Sequence, residues 1–166
     1  MTARTLASIV LVLCLPAALR GQNVEAEDIE ARFAGHYELV SFESFRANGD
    51  VVDMQYVGRI MYDGHGNMSA IGMPKNLPER ARQSDENVQA GFAYWGTVSF
   101  DVPNGIVIHH VQGSPTRGSW PGVDNVRHFR FTDDGLLKLS IKNEEGRTTS
   151  TLTWRRIPGP AGRMPS

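Results

Sequence analysis

The sequence predicts an all-β protein, an eight- to nine-stranded antiparallel up-and-down barrel with one short helix between strands. Two observations predict it. Apolar and polar residues alternate with a period of two in successive short segments, and Asn-Gly or Asp-Gly turns separate those segments at regular spacing. The 17 glycines and 9 prolines suit such a turn-rich chain. A β-sandwich has a similar pattern, but a closed barrel leaves no exposed strand edge and is favoured.

Residues 1–21 have the pattern of a secretory signal peptide that forms an N-terminal signal helix. Arg4 precedes an apolar run, Leu6–Leu15, that is short for a membrane span, and a cleavage site falls before Gln22. An uncleaved N-terminal anchor is the alternative. The pattern predicts a secreted or periplasmic location. Cleavage would leave no integral membrane span and would remove Cys14, the one cysteine.

The rest of the chain divides into an N-terminal linker (22–32), a barrel domain (33–157) and a disordered tail (158–166). The acidic linker is predicted to form a short helix leading into Phe33. The 17 Lys and Arg nearly balance the 18 Asp and Glu, so the composition does not favour a nucleic-acid partner. The sequence makes no prediction of oligomeric state.

The N-terminal half of the barrel domain contains four predicted strands and the helix. The strands are His36–Arg46, Val51–Met54, Val57–Asp63 and Asn67–Met73. The helix is predicted to begin after Ser84 as its N-cap, with Val88 and Phe92 as an i, i+4 apolar pair. Such a helix either covers a ligand as a lid or simply closes the core, and both interpretations stay open.

The hairpin from Tyr94 to Ser114 is the clearest element. Its strands Tyr94–Asp101 and Ile106–Gln112 flank a turn with Asn-Gly. An even loop length, two or four residues, places Val98 and Phe100 on one face with Val107, His109 and Val111. The hairpin is therefore predicted to send His109 into the apolar interior and His110 to the opposite side.

Three further strands complete the predicted barrel: Asp124–Phe131, Leu136–Lys142 and Arg147–Ile157. A three-residue loop ending in Gly135 pairs Phe131 with Leu137 and Phe129 with Leu139. The same register places Arg127 opposite Ile141, on the inner face. Leu152 and Trp154 are the predicted inward residues of the last strand.

Several sequence blocks, in this order and spacing, resemble the bacterial and fungal lipocalin-like domain family over residues 33–157. They are Gly35–Ser41, Gly58–Asp63, Gly66–Ser69, Tyr94–Thr97 and His109–Ser114, followed by Trp120, Gly122 and Val126-Arg127. The resemblance implies an eight-stranded calycin-type barrel in a family whose members mostly lack an assigned activity. Tyr37 stands where the family usually has a tryptophan. In lipocalins that tryptophan packs against an arginine, for which Arg155 or Arg156 is the candidate here.

An eight-stranded barrel has an interior wide enough for side chains or one small ligand. We expect a mostly apolar ligand with a polar or acidic head, because an inward arginine is unfavourable without an anion. The predicted ligand-binding residues are Tyr62, Tyr94, Val98, His109, Trp120, Arg127 and Phe129. A structural role is the alternative for each. His109 then bonds a tyrosine hydroxyl or the backbone, and Arg127 pairs with Glu38, Glu43 or Asp63.

The preferred functional hypothesis is an exported protein that binds a small hydrophobic ligand and is not an enzyme. The alternative is a cofactor-free isomerase or cyclase, with His109 or Tyr62 as general acid or base and Arg127 stabilising negative charge. A barrel filled by its own side chains is the third possibility. No cofactor or metal site is predicted, because the adjacent His109 and His110 face opposite ways along a strand.

Overall fold

The computed structural model describes residues 27–82 and 91–159. The predicted signal peptide, most of the predicted tail and the predicted N-cap Ser84 lie outside these ranges. Residues 27–33 form helix α1. The other elements, in chain order, are β1 (Gly35–Phe45), β2 (Val51–Asp53), β3 (Tyr56–Tyr62), β4 (Asn67–Pro74), α2 (Leu77–Arg82), β5 (Phe92–Asp101), β6 (Ile106–Gly113), β7 (Asp124–Phe131), β8 (Leu137–Lys142) and β9 (Thr148–Arg156).

The predicted up-and-down barrel is confirmed. Apart from the short strand β2, each strand from β1 to β9 pairs antiparallel with its neighbour along the chain. β9 also pairs with β1, for example Trp154 with Leu39, which closes an eight-stranded barrel. β2 pairs with β1 alone and adds one strand outside the closed ring. This closure excludes the sandwich alternative.

The predicted registers are also confirmed. In the hairpin, Val98 lies opposite His109 and Phe100 opposite Val107. The loop has four residues, and Gly105 adopts the left-handed conformation (φ 62°) that glycine tolerates best. Between β7 and β8, Phe131 pairs with Leu137 and Phe129 with Leu139. His109 is fully buried, and Leu152 and Trp154 of β9 are buried in the core.

Helix α1 closes one end of the barrel with an aromatic cluster. The predicted helix leading into Phe33 is present, and the Phe33 side chain is 0% exposed. Its ring lies with centroids 4.8 to 5.3 Å from those of Tyr62, Phe100, Phe129 and Phe131. We call this end, with Phe33 at its centre, the closed end.

The arginine expected to pack against position 37 is Arg156. Its guanidinium lies 5.4 Å from the centroid of the Tyr37 ring and donates hydrogen bonds to the carbonyl oxygens of Arg32 and Ala34. The Tyr37 hydroxyl donates to the same Arg32 carbonyl. A tyrosine thus occupies the usual tryptophan position, and this cluster fastens α1 to the barrel.

The helix between β4 and β5 is present but lies earlier than its predicted start. It spans Leu77–Arg82, before Ser84. Phe92 is the first residue of β5 rather than part of a helix, and its predicted partner Val88 lies outside the described residues. The strand extends to Phe92 because that residue pairs with Gly72 of β4. Within the described ranges, no helix is long and apolar enough to cross a membrane.

Candidate functional site

A cavity of about 350 Å³ lies inside the barrel, away from the closed end. Aromatic and aliphatic side chains make up most of its wall, and a few polar groups project into it. Its lining residues are Phe42, Met54, Tyr56, Ile60, Ala70, Gly91, Phe92, Tyr94, His109, Arg117, Trp120, Arg127, Leu139, Ile141, Leu152 and Trp154. The barrel is therefore not filled by its own side chains. Mostly apolar cavities with a few placed polar groups are typical of small-molecule sites.

His109 lies on the cavity wall between two tyrosines. Its Nε2 is 2.9 Å from the Tyr62 hydroxyl and its Nδ1 is 2.9 Å from the Tyr94 hydroxyl. Burial, with a smaller contribution from the positive charge of Arg127, holds the pKa of His109 well below its usual value. The ring is therefore neutral, with one nitrogen donating to a tyrosine oxygen and the other accepting from a tyrosine hydroxyl.

The two tyrosines that hold His109 are protonated. Burial raises the pKa of Tyr62 well above its usual value. Burial also raises the pKa of Tyr94, against the opposing effect of the Arg127 guanidinium. The three side chains form a neutral hydrogen-bonded chain in which both ring nitrogens of His109 are paired, as the structural interpretation of His109 expected. Tyr94 and His109 both line the cavity, so this chain also reaches the place where a ligand would lie.

Arg127 brings a positive charge to the cavity without a carboxylate partner. Within residues 27–82 and 91–159, no carboxylate oxygen lies within 4.0 Å of its guanidinium, which donates to the neighbouring Val126 carbonyl at 2.9 Å. The predicted partner Glu38 instead pairs with Arg59 and Arg155 on the outer surface. The predicted ion pair of Arg127 is therefore absent.

The other two predicted partners of Arg127 also lie elsewhere. The Asp63 carboxylate accepts hydrogen bonds from the backbone of His65 and from Asn67 in the turn before β4. Glu43 lines a separate surface groove. The guanidinium is half-buried beside apolar side chains, and a charge in that position favours an anionic partner.

The mouth of the cavity is formed by the loop between β6 and β7. The Trp120 ring makes an edge contact with Tyr94 at 5.2 Å, and the Arg117 guanidinium lies 5.1 Å from Trp120. The Ser114 hydroxyl fixes this loop, because it accepts from the Arg117 N–H and donates to the carbonyl of Ala93. Trp120 thus lies at the mouth, with a second arginine beside it.

Trp154 lines the same cavity and carries a buried indole N–H, unpaired within the described part of the chain. Its side chain is 1% exposed, and its Nε1 has no hydrogen-bond partner among the described residues. A buried N–H without an acceptor is unfavourable, by about 1–3 kcal/mol.

The predicted site residues divide between the two ends of the barrel. Tyr94, His109, Trp120 and Arg127 line the cavity together. Tyr62 reaches it only through its bond to His109. Val98 lines a groove beside α1, and Phe129 packs on Phe33 at the closed end. Val98 and Phe129 therefore do not line the cavity, although Val98 lies opposite His109 and both residues lie near Tyr62.

The sequence-based site omitted several lining residues. Trp154 was predicted to face inward but not to line a site, although its alternation with Leu152 already placed it inside. Tyr56 and Phe92 lie at strand ends, where the alternating pattern is too short to assign a face. Arg117 lies in a loop, where no periodicity exists.

A family model for the lipocalin-like domain matches residues 34–157. The chain belongs to the lipocalin-like domain family. The match covers most of the chain and ends beside Arg156, the residue that packs on Tyr37. A search of curated protein sequences finds no match. The lipocalin-like barrel is a fold suited to binding small ligands, and the cavity of this domain provides the space for one.

Acidification from pH 7.5 to 5.5 is expected to lower the free energy of unfolding by about 1 kcal/mol through His109. In the unfolded chain the imidazole takes up a proton below about pH 6.5, whereas the buried ring stays neutral. The unfolded state then binds more protons, so stability is full above this range and falls as the pH drops. Urea unfolding at both pH values measures the effect.

The control for this pH dependence is the variant His109→Gln, which keeps a donor and an acceptor between the tyrosines. His128 contributes in the same direction, because burial also lowers its pKa. The comparison is therefore made between the single variant His128→Asn and the double variant that carries His128→Asn and His109→Gln. An equal loss of stability with and without His109 would contradict the prediction.

Proposed function

We propose that this lipocalin-like domain is an exported binding protein that holds one small, mostly apolar molecule with an acidic head in its cavity. The observation that carries this proposal is the half-buried Arg127 guanidinium, which faces an apolar cavity without a carboxylate partner among the described residues. A ligand carboxylate beside Arg127 supplies the missing negative charge.

The charge balance of the cavity supports an anionic head. Two arginines, Arg117 and Arg127, line the wall, and its described lining residues include no aspartate or glutamate. A cation entering this space would meet two positive charges without compensation. An anion gains from both, and Arg127 is better placed for a direct contact because it projects from a barrel strand rather than the rim loop.

The apolar wall supports a hydrophobic body. Transfer of apolar surface from water into such a wall contributes about 25 cal/mol for each Å² buried. The rings of Trp120, Tyr56 and Phe92 on the cavity wall offer flat surfaces for such a body. A molecule with one ring system or a short alkyl chain fits about 350 Å³.

Export is the part of this proposal that rests on residues 1–21. A positive residue, an apolar run and a cleavage region precede Gln22, as in secretory signal peptides. A protein that binds a small molecule outside the cytoplasm is consistent with a barrel that contains no cysteine after cleavage.

Mass spectrometry of the protein purified from its own host tests both parts. The denatured mass is expected to match a chain that begins at Gln22. The native mass is expected to include one additional small molecule, which ionises as an acid after release. A native mass equal to that of the bare chain, from gently purified protein, would contradict the binding proposal. A mass that retains residues 1–21 would contradict cleavage alone.

One observation favours a second candidate, the cofactor-free isomerase or cyclase. Tyr94, His109 and Arg127 all line the cavity, and the hydrogen-bonded chain from Tyr94 through His109 to Tyr62 is suited to moving a proton away from a ligand. Incubation of the co-purified molecule with fresh protein in D₂O separates the candidates. A binding protein returns the molecule without deuterium at carbon, whereas an isomerase introduces it.

A further inference from the structure

A second chain of polar side chains crosses the outer face of the barrel. The Ser99 hydroxyl on β5 lies 2.8 Å from Nε2 of His110 on β6. Nδ1 of the same ring lies 2.7 Å from a carboxylate oxygen of Asp124 on β7. A hydroxyl, an imidazole and a carboxylate thus follow one another at hydrogen-bond distance on three neighbouring strands.

The register of the strands fixes this arrangement. His110 lies directly opposite Asp124. Ser99 lies diagonally across from His110, two residues beyond Thr97, its direct partner. All three side chains face outward, because His109 and Val98 take the inward positions beside them. The hydrogen-bonded row of Ser99, His110 and Asp124 is therefore separate from the cavity, although His110 is adjacent in sequence to His109 on the cavity wall.

The order of the bonds gives each group a definite role. Asp124 accepts a hydrogen bond from Nδ1–H, which leaves the lone pair of Nε2 free to accept the proton of the Ser99 hydroxyl. Nucleophilic serines are activated by a histidine in this tautomer, held by a carboxylate. Ser99 is exposed, so a reagent in solution can reach it.

We propose that Ser99 is the nucleophile of an acyl-transfer site on the outer face, with His110 as general base and Asp124 as its positioning residue. The Ser99 oxygen attacks the ester carbonyl while His110 takes the hydroxyl proton. The tetrahedral intermediate collapses to acyl-Ser99, and the leaving alcohol departs with that proton. Water, which gives a proton to His110, then attacks the acyl carbon; the bond to Ser99 breaks, the carboxylic acid leaves, and His110 returns the proton to the Ser99 oxygen.

The surroundings of Ser99 define the class of ester. The site lies on paired strands, whose backbone N–H groups take part in interstrand hydrogen bonds. An oxyanion donor is worth about 10²–10³ in rate, so a site that relies on solvent for this role accepts only esters with good leaving groups. Aryl esters of short carboxylic acids are the expected substrates. Ser99 also lines a groove of about 550 Å³ beside α1.

Reaction of the full chain with p-nitrophenyl acetate tests the proposal. We expect release of p-nitrophenolate together with an acetyl group on Ser99, located by mass spectrometry of proteolytic fragments. Ser99→Ala should remove the acetylated fragment. Asp124→Asn should slow acetylation at least tenfold, because the histidine then loses the carboxylate that fixes its tautomer. Ser69→Ala, a serine on the neighbouring strand β4, is the matched control and should react like the wild type.

All of these substitutions lie outside the core, so urea unfolding should give near wild-type stability for each variant. Absence of acetyl-Ser99, or equal p-nitrophenolate release from the Ser99→Ala variant, would overturn the proposal. Equal acetylation rates for Asp124→Asn and wild type would overturn the role of Asp124. None of these results depends on what the cavity binds.

Discussion

Replacement of Arg127 with methionine is expected to lower the affinity for 2-naphthoic acid by about 10- to 100-fold, the range for one lost hydrogen bond to a charged group. This probe has an apolar body and a single carboxylate, as the cavity wall requires. Arg127 has no carboxylate partner among the described residues, so its removal leaves no buried anion behind. Calorimetric titration measures the affinity, and urea unfolding should confirm an intact fold.

Two controls separate the effect of charge from that of shape. Arg130→Met removes an exposed arginine from the outer face of the same strand and should leave the affinity unchanged. The neutral analogue 2-naphthalenemethanol should bind wild type and Arg127→Met within about threefold of each other. A carboxylic acid that binds the variant as tightly as the wild type would contradict the role of Arg127.

Replacement of Phe33 with alanine is expected to cost about 3–5 kcal/mol of stability, the range for truncation of a buried aromatic side chain. The Phe33 ring is fully buried and contacts four aromatic rings from β3, β5 and β7. Its removal opens a cavity at the closed end and frees α1 from the barrel. Chemical denaturation with urea gives the change in the free energy of unfolding.

The matched control for Phe33 is an apolar residue on the barrel surface. Ile71 of β4 is 56% exposed, and Ile71→Ala should change stability by no more than about 0.5 kcal/mol. A loss below about 1 kcal/mol for Phe33→Ala would mean that α1 does not hold the barrel closed.

The barrel could be predicted because short segments of sequence contain the alternation and the loop lengths that determine how neighbouring strands pair. In the hairpin of β5 and β6, a period of two and an even loop length were enough to pair Val98 with His109 and to turn His109 inward. The loop ending in Gly135 fixed the register of β7 and β8 in the same way. The helix was harder to place, because a short segment between strands carries little periodicity, and α2 begins before the predicted cap.

The site was predicted only in part because alternation gives the face of a residue but not its height along the barrel axis. Val98 and Phe129 face inward as expected, yet they lie toward the closed end, away from Trp120 at the mouth. The pairing of Tyr62 with His109 joins residues 47 positions apart. Such contacts depend on how eight strands close, which no single segment of sequence specifies.

The most direct test of the proposed binding mode is a crystal structure of the protein in complex with 2-naphthoic acid. We expect the naphthalene rings in the cavity and the carboxylate at hydrogen-bond distance from the Arg127 guanidinium. A carboxylate that points out into solvent, with Arg127 uncontacted, would contradict this binding mode. So would an empty cavity at saturating concentrations of the acid.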